Sequence, residues 1–500
     1  MSEIELKLTG SPAGLKAAAA RLAKKAVDGS SFANALRAVY FDTAKDDLHA
    51  KGLAFRVREQ NGRFVQTLKQ SKAGDDALTR GEWSDDIAGA APELLATKSG
   101  RKLRKVWKDV RLLPRFRTDI QRHGFMLRPR RGTEIEVVRD EGEIRVVGRD
   151  EEPIRVSEIE LELKKGSPAA VYRLALEILS HTKVQVEPRA KSDRGYRLQS
   201  PGARIEAVKA DTPAVHKRDA LVDVLRSAAR RHFGQFLANI PGALAQDPAS
   251  IHQMRVAMRR LRSAVYAMRE LLPEKHYESV RMKLKYLLQV LGPARDWEVL
   301  SERISELDGE EELKGAAVGV KTSVKAHRRE ALMGVASALG SQKNTRTMLE
   351  AMLWFEDLPT SRHGRALKVR AGDAAPRLLD ELFSKVARRA RRFARQSVGD
   401  RHRLRIACKN LRYNIDLYGA LFGARKAGGF LKRLKAVQDD LGQLNDVSRA
   451  RELLGDLVER SPQKAAARSL IVRLEQRVIS AEKRARKHVA ALTRARRFWT

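Results

Sequence analysis

The chain has almost no cysteine and few aromatic residues. Cys408 is the only cysteine among 500 residues, which excludes an intramolecular disulfide and a zinc site built from several cysteines. Aromatic residues make up 5% of the chain. No apolar run approaches the length of a membrane-spanning helix, so we expect no membrane partner and a cytoplasmic location.

Acidic residues are scarce relative to basic ones. The chain has 62 Asp and Glu against 99 Lys and Arg, a formal net charge of +37. The part before Pro213 carries +10 and the remainder +27. We therefore expect a polyanionic partner, mainly for the second part. The length predicts two or more domains, with residues 1–200 and 214–500 joined by a linker at 201–213 that contains Pro201 and Gly202.

Strict alternation of charged and apolar residues predicts strands in the first part. Residues 3–8 (Glu-Ile-Glu-Leu-Lys-Leu) alternate in this way, and residues 158–164 repeat the pattern. Asn61-Gly62 predicts a hairpin between strands at 53–60 and 63–70. Further strands are predicted at 111–121, 125–127, 133–139, 143–148 and 154–163. The acidic residues lie on the first and last of these strands, and the strands between them carry basic residues. Both sets can face one space only if the sheet curls. The sequence therefore predicts a barrel with a charged lumen and helices outside.

The order of these motifs resembles the CYTH domain, or triphosphate tunnel metalloenzyme, over roughly residues 1–200. The matching residues are Glu3-x-Glu5-x-Lys7, Arg56-x-Arg58, Lys69, Arg117, Glu160-x-Glu162 and Lys191. The resemblance implies an eight-stranded antiparallel tunnel. Members of that family hydrolyse inorganic triphosphate, thiamine triphosphate or RNA 5′-triphosphates, or cyclise ATP.

The resemblance also implies a role for each matching residue. Glu3, Glu5, Glu136, Glu160 and Glu162 would hold Mg²⁺ or Mn²⁺. Phosphates would be held by Lys7, Arg56, Arg58, Lys69, Arg117 and Lys191. The choices between Glu134 and Glu136, and between Arg115 and Arg117, stay open. Independently of the family, a divalent cation on carboxylates and guanidinium groups on phosphates are what phosphoanhydride hydrolysis by water requires.

The second part is predicted to be helical and duplicated. The run from His252 to Arg262 (H-x-x-R-x-x-x-R-x-x-R) recurs 150 residues later, from His402 to Arg412, with Lys at position 409. Helical periodicity places these basic residues on one face and apolar residues on another. A gapless repeat of this length predicts two equivalent helical units, at about 216–340 and 375–495.

This repeat resembles the CHAD domain, a duplicated helical bundle that binds inorganic polyphosphate, over about 214–500. The predicted polyphosphate-binding residues are His252, Arg255, Arg259, Arg262, Lys283, Lys285, His402, Arg405, Lys409, Arg412, Arg433 and Lys435. We call the basic faces of the helices at 252–262 and 402–412 the two basic ridges. Few aromatic residues accompany them, so base stacking is not provided for and nucleic acid is disfavoured as a partner.

Together these patterns predict an α+β protein in which an antiparallel β-barrel tunnel of about eight strands, with outer helices, precedes an all-α duplicated bundle. The expected function is metal-dependent hydrolysis of inorganic triphosphate to pyrophosphate and phosphate, with polyphosphate binding by the helical part and a location at polyphosphate granules. The alternatives are an adenylate cyclase built on the same tunnel and a non-catalytic polyphosphate-binding granule or scaffold protein.

Overall fold

The α+β class predicted from the sequence is confirmed. The structure is a computed structural model that describes residues 4–71, 80–107, 111–130, 132–202, 205–306, 317–458 and 464–500. Its strands are β1 Ile4–Gly10, β2 Phe32–Asp42, β3 Leu53–Gln60, β4 Arg63–Ser71, β5 Arg80–Ile87, β6 Leu113–Arg130, β7 Thr133–Val146, β8 Ile154–Lys165 and β9 Val184–Val186.

The α-helices of the described residues are mostly in the second half of the chain. They are α1 Pro12–Ala23, α2 Asp47–Ala50, α3 Lys98–Val106, α4 Ala169–His181, α5 Lys191–Gln199, α6 Leu221–Ala238, α7 Ile240–Leu244, α8 Pro248–Ala267, α9 Glu274–Val290, α10 Gly292–Ser305, α11 Ala317–Leu339, α12 Gln342–Asp357, α13 Ala371–Ala390, α14 Val398–Tyr418, α15 Ala424–Val458 and α16 Lys464–Thr493. None of these described helices combines the length and the apolar character that crossing a bilayer requires.

The chain forms two compact units, and the division is not a single cut. The first unit contains residues 1–206 and 340–357, and the second contains 207–339 and 358–500. Helix α12, which lies between the two helical repeats in sequence, is therefore part of the first unit. The chain passes from one unit to the other three times.

The first unit is built on one antiparallel sheet of nine strands. Their order is β5-β4-β3-β2-β6-β7-β8-β1-β9. Within the described residues the sheet is not closed, because β5 and β9 are its two edges and do not pair. The sequence predicted about eight strands in a barrel; the structure has nine strands in an open sheet. The predicted hairpin is confirmed, since Asn61 and Gly62 join β3 to β4 with φ values of 52° and 77°.

Two glycines that read as chain breaks lie inside long strands. The strands predicted at 111–121 and 125–127 are one strand, β6, and those at 133–139 and 143–148 are one strand, β7. A Cβ at Gly124 would collide with the ring of Phe32, and a Cβ at Gly142 would collide with the carbonyl oxygen of Asp119. These glycines therefore permit close approach of a neighbouring chain segment rather than a turn.

Over β3, β4 and β8, apolar side chains cover the outer face of the sheet, whereas the outer face of β6 and β7 also carries charged residues such as Arg117 and Glu143. On β8, Ile159 and Leu161 are buried on the face that α1 and α4 cover. On β3 and β4, Phe55 and Leu68 pack with Leu103 of α3. The opposite, concave face carries charged side chains, and α5 packs against it through Tyr196, whose ring meets Phe116 edge to face.

Helix α12 completes the β9 edge of the sheet. The Gln342 carboxamide donates from Nε2 to the carbonyl oxygen of Val184 at 3.0 Å, and its Oε1 accepts from the Val184 amide at 3.3 Å. Gln185 Nε2 donates to the carbonyl oxygen of Gly340 at 2.8 Å. The side chain of Gln342 thus satisfies backbone groups that a further strand would otherwise pair.

The second unit repeats its helices at the spacing that the sequence predicted. Helices α6, α8 and α9 begin at residues 221, 248 and 274, and α13, α14 and α15 begin at 371, 398 and 424. Helices α8 and α14, which carry the two basic ridges, pack against each other. The Asn414 side chain donates to the carbonyl oxygen of Ser263 at 3.2 Å, and Ser263 Oγ donates to the carbonyl oxygen of Asn410 at 3.1 Å.

Candidate functional site

The concave face of the sheet gathers side chains from at least seven of the described strands. Antiparallel register places Lys7 opposite Glu160 and Arg56 opposite Tyr40, and residues two apart on a strand share a face. The acids of β1, β7 and β8 therefore face the same space as the bases of β3, β4 and β6. The charge of Glu5 on β1 acts on Arg122 on β6, although β8 and β7 lie between those strands.

Three buried carboxylates form the deepest part of this face. Asp140, Glu158 and Glu160 bring oxygens within 4.8 Å of one another, and they are between 0% and 7% exposed. Arg122 donates to Asp140 and Glu160, and Lys191 Nζ lies 2.7 Å from Asp140 Oδ2 and 2.9 Å from Glu160 Oε1. Lys191 also pairs with Glu158, which accepts a further bond from Arg194 at 2.6 Å. We call these six residues the deep cluster.

The deep cluster is held together by charge. Burial alone would raise the pKa of Glu160, but the charges of Lys191, Lys7 and Arg122 outweigh burial and hold this pKa well below its ordinary value. Burial opposes the charged form of Lys191 as well, yet Glu160, Glu158 and Asp140 raise the Lys191 pKa. Every carboxylate of the cluster therefore already has a cationic partner in the protein.

A second row of acids lies next to the deep cluster on the same face. Glu5 is opposite Glu162 on the neighbouring strand, and Glu162 is opposite Glu136 on the next. Directly opposite side chains in a sheet have Cβ atoms about 5 Å apart, so the three carboxylates are neighbours. Lys164 Nζ lies 2.5 Å from Glu162 and 3.2 Å from Glu136. We call Glu5, Glu136 and Glu162 the acidic row.

The structure gives Glu134 a partner of its own. Glu3 is outside the described residues. Glu134, the alternative to Glu136, pairs with Arg128 at 3.0 Å and is opposite Lys165 across a register shift. Of the two candidates on β7, the structure thus places Glu136 beside Glu162.

The basic side of the concave face contains two arginines without a carboxylate partner among the described residues. Arg56 Nη1 donates to the Tyr40 hydroxyl at 3.3 Å, and the Nε atoms of Arg56 and Arg58 donate to no described acceptor. Burial, followed by the charges of Arg56 and Arg122, lowers the pKa of Arg58 to about 10. Lys69, further along β4, pairs with Glu82 at 2.8 Å.

The structure does not bring Arg117 to this face. Its side chain is 56% exposed on the opposite face of β6 and pairs with Asp119 at 3.3 Å. Arg115, the alternative, pairs with Asp46 at 2.8 Å. Arg122 is the arginine of β6 that reaches the concave face, because residues of even number point inward there from 116 to 126.

Sequence reasoning missed Arg122 and Asp140 for one reason. Both lie in the intervals that were read as breaks, next to Gly124 and Gly142. They could have been found by extending β7 and β8 as unbroken strands and noting which alternate residues share the inward face. Asp140 is opposite Glu158 and shares the inward face with Glu136. Glu158 and Arg194 were also outside the predicted set.

In the second unit the two ridges meet at four basic side chains. Burial, followed by the charges of Arg405 and Arg259, lowers the pKa of Lys409 to about 6. Burial, followed by the charge of Arg259, lowers the pKa of Arg255 to about 10. The Nε atoms of Arg255 and Arg405 find no acceptor among the described residues. Cations from both repeats therefore share one partly buried space.

The duplication holds for the surroundings of Arg255 and Arg405. A Cβ at Gly292 would be 3.6 Å from Arg255 Nη1, and a Cβ at Gly442 would be 3.8 Å from Arg405 Nη2. Arg405 lies 3.8 Å from Asp446. The charge of Asp296, which is the equivalent position in the first repeat, acts on Arg255.

The other predicted polyphosphate-binding residues are less tightly grouped. Arg262 is influenced by Arg281, and Arg412 donates to Gln438 at 3.0 Å. His402 Nδ1 lies 2.6 Å from Asn445 Oδ1, and burial together with nearby arginines lowers the pKa of His252. The lysines and arginine of α9 and α15 lie partly or fully exposed on those helices; they are Lys283, Lys285, Arg433 and Lys435.

Two family models match the chain. Residues 1–196 match the CYTH domain and residues 227–455 match the CHAD domain. Uncharacterized proteins from two strains of Mycobacterium tuberculosis are 33% identical over 217 residues, which is 41% of this chain; the chain spans about 40% of the length of these relatives.

Solved structures resemble parts of the chain. The CHAD domain from the plant Ricinus communis is 25% identical, with a TM-score of 0.49, over 58% of this chain and 96% of that one. HpAC1 from Hippeastrum, described as an adenylyl cyclase candidate with a dominant triphosphatase activity, is 18% identical with a TM-score of 0.30, over 39% of this chain and 95% of that one. The chain therefore contains a CYTH domain over residues 1–196 and a CHAD domain over residues 227–455 in a single polypeptide.

Proposed function

We propose that the first unit hydrolyses inorganic triphosphate to pyrophosphate and phosphate with Mg²⁺ or Mn²⁺, and that the second unit binds inorganic polyphosphate. One observation carries the first proposal. The Nε atoms of Arg56 and Arg58 are buried and donate to no described acceptor, and neither arginine forms an ion pair with a described carboxylate, although the charge of Glu82 acts on both. By strand parity both side chains point to the face that carries the acidic row. Buried unpaired cations are costly, and a phosphate chain would supply the missing anion.

The donor chemistry of the acidic row fits a divalent cation. Carboxylate oxygens are the ligands that Mg²⁺ and Mn²⁺ prefer. Glu5, Glu136 and Glu162 would hold the ion, which would take the place of the Lys164 ammonium group beside Glu136 and Glu162. The deep cluster is less suitable, because an ion there would compete with Arg122, Lys191 and Arg194. When bound, the ion would neutralise phosphate oxygens and lower the pKa of a coordinated water.

The protein's own residues would hold and orient the phosphate chain. Arg56 and Arg58 would grip the phosphates that do not react, since guanidinium groups bind such oxygens in pairs. Lys7, which lies 2.5 Å from Glu5 and 3.7 Å from Glu160, would sit between the acidic row and the deep cluster. A water oxygen would attack the terminal phosphorus, and pyrophosphate would leave with the electrons of the broken P–O bond.

The test is an activity panel with the purified full-length chain. We expect phosphate release from tripolyphosphate with Mg²⁺ or Mn²⁺, its loss with EDTA, and its recovery when the metal is returned. The double variant Arg56→Ala/Arg58→Ala should lose this activity. Formation of cyclic AMP from ATP, without phosphate release from tripolyphosphate, would replace the proposal with the cyclase.

The polyphosphate proposal rests on the basic residues shared by the two repeats. Burial and the charge of Arg259 lower the pKa values of Arg255, Arg405 and Lys409, so a polyanion would relieve the repulsion between these cations. The variant Arg255→Glu/Arg405→Glu should bind long-chain polyphosphate weakly while it keeps its triphosphatase activity. Undiminished binding by this variant would contradict the proposal.

A further inference from the structure

A cavity of about 500 Å³ opens between α8, α9, α13 and α14. This volume is within the usual range for small-molecule sites. Basic side chains dominate its lining, and three tyrosines and two aliphatic side chains accompany them. The residues that matter to the argument are Arg259, Arg405, Lys409, Tyr266, Tyr277 and Lys385.

The cavity exists on one side of the duplicated bundle. Tyr277, Arg281 and Lys385 line it, and the positions 150 residues away in the other repeat are Ala427, Leu431 and Gln235. None of these counterparts is aromatic or basic. A groove that only follows a long phosphate chain would need no such asymmetry, so the duplication does not account for this cavity.

One side of the cavity is lined by aromatic and apolar side chains. Tyr266 accepts a hydrogen bond from Lys385 Nζ at 2.9 Å, and this ammonium group and the Arg269 guanidinium lie 4.8 and 4.7 Å from the ring centroid. Arg281, Glu278 and Tyr266 act electrostatically on Tyr277, and among the described residues no aromatic ring or cation stacks on the Tyr277 ring. Leu382 and Ile406 add apolar surface.

The basic side of the cavity comes from both repeats. Arg259 of α8 and Arg405 and Lys409 of α14 act on one another electrostatically. Asp446 is 3.8 Å from Arg405, so one carboxylate faces three cations there. This end of the cavity suits several phosphate groups, whereas the rings and aliphatic side chains offer little to phosphate.

We propose that this cavity binds a nucleoside polyphosphate, with the phosphates at Arg259, Arg405 and Lys409 and the base against Tyr277. The inference rests on the proposed phosphate binding of the second unit and adds recognition of a base. It also revises the expectation that base stacking is not provided for, because the tyrosines come from α9 and from positions outside the two basic ridges.

The experiment is calorimetric titration with ATP, tripolyphosphate and adenosine, without divalent cations so that no turnover occurs. The protein is the full-length Arg56→Ala/Arg58→Ala chain, into which the changes at Tyr277 and Tyr286 are introduced, so that tripolyphosphate binding by the first unit does not contribute. ATP should bind more tightly than tripolyphosphate. Tyr277→Leu should weaken ATP binding by about 5- to 150-fold, the range expected for one stacked base, and should leave tripolyphosphate binding unchanged. Tyr277→Phe should bind ATP like the parent Arg56→Ala/Arg58→Ala chain, because the ring is retained. Tyr286→Leu, on the same helix but outside the cavity lining, is the matched control.

The outcomes separate this inference from the function on which it rests. If tripolyphosphate binds as tightly as ATP, or if Tyr277→Phe loses as much affinity as Tyr277→Leu, base recognition is wrong. If long-chain polyphosphate binds and ATP does not, the inference fails and the proposed polyphosphate binding stands. If neither binds, both fail.

Discussion

Arg122 Nη2 lies 2.6 Å from Asp140 Oδ2 and 2.8 Å from Glu160 Oε2, so one guanidinium group joins strands β6, β7 and β8 on the concave face. Such a pair of contacts fixes the donor direction of the arginine. It also leaves the neighbouring Arg56 and Arg58 as the cations of this face without a described carboxylate partner. The deep cluster therefore acts as a support, whereas the acidic row, whose lysine partners are Lys7 and Lys164, and the two arginines are the parts that we propose to bind metal and phosphate.

The acidic row should be required for activity. Glu5→Gln and Glu162→Gln should each lower phosphate release from tripolyphosphate by roughly a hundredfold or more, because each removes a carboxylate proposed to hold the metal. The measurement is initial rate against metal concentration. Glu143→Gln is the matched control, since Glu143 is on the same strand as Glu136 but on the outer face, paired with Arg145. Full activity in the Glu5 or Glu162 variant would contradict the assignment.

Arg58 and Arg117 should behave differently. Arg58→Ala should lower kcat/KM for tripolyphosphate about a hundredfold, because it removes a half-buried cation that faces the proposed substrate. Arg117→Ala should have little effect, because Arg117 is on the opposite face and 56% exposed. Steady-state kinetics on both variants tests whether Arg117 contacts the substrate, as the resemblance implied, or lies away from it, as its place on the outer face indicates. Equal losses would mean that Arg117 reaches the substrate.

The deep cluster should make stability depend on pH. The folded-state pKa of Glu160 is below its ordinary value of 4.5, so its contribution to stability is present above pH 4.5 and is lost as the pH falls further. The pKa of Lys191 is above its ordinary value of 10.5, so its contribution is present below pH 10.5 and is lost as the pH rises through the folded-state value.

Urea unfolding at several pH values tests this dependence. Lys191→Met should cost about 3–5 kcal/mol at neutral pH, because it leaves buried carboxylates without their partner. The cost should shrink below pH 4.5, where the carboxylates can take up protons. A cost that is the same at pH 7 and pH 4 would contradict the charge-based account of the cluster.

Polyphosphate binding should take up a proton at Lys409. With a pKa of about 6, this side chain is mostly neutral at pH 8, and a bound polyanion favours its charged form. Affinity should therefore weaken as the pH rises from 6 to 8. Titration calorimetry in buffers of different ionisation enthalpy measures the uptake. The Lys409→Met variant should bind polyphosphate more weakly, and its affinity should no longer depend on pH. The Arg259→Met variant, changed at the equivalent position of the first repeat, should also bind more weakly, but its affinity should still depend on pH.

Much of the fold follows from side-chain alternation, but the register does not. The pattern of Glu3–Leu8 and its copy at 158–164 predicted strands with one charged face, and β1 and β8 have that face. The expectation that Arg117 faces the lumen depended on which alternate residues of β6 point inward. A shift of one residue moves a side chain to the other face of a sheet, and the spacing of residues alone does not fix this choice. Gly124 and Gly142 interrupted the pattern for a reason that depends on Phe32 and Asp119, which are distant in sequence.

The helical half can be predicted in more detail because its sequence contains an internal repeat. A repeat of 150 residues fixes the equivalence of Arg255 with Arg405 and of Arg259 with Lys409 without knowledge of the packing. The cavity beside them was not predictable, since Tyr277 and Lys385 have no counterparts in the other repeat. The place of α12 in the first unit likewise depends on its packing against α4 and β9, which no pattern in the sequence indicates.

The contact between Gln342 and Val184 has a consequence for synthesis of the chain on the ribosome. Translation delivers β1 to β9 long before residue 342, and domains generally begin to fold from the N-terminal side as they emerge. The nascent sheet must therefore wait, with the outer edge of β9 uncapped, until the whole first helical repeat has been made. During that interval the newborn chain depends on speed, or on a chaperone, to avoid pairing with a neighbour.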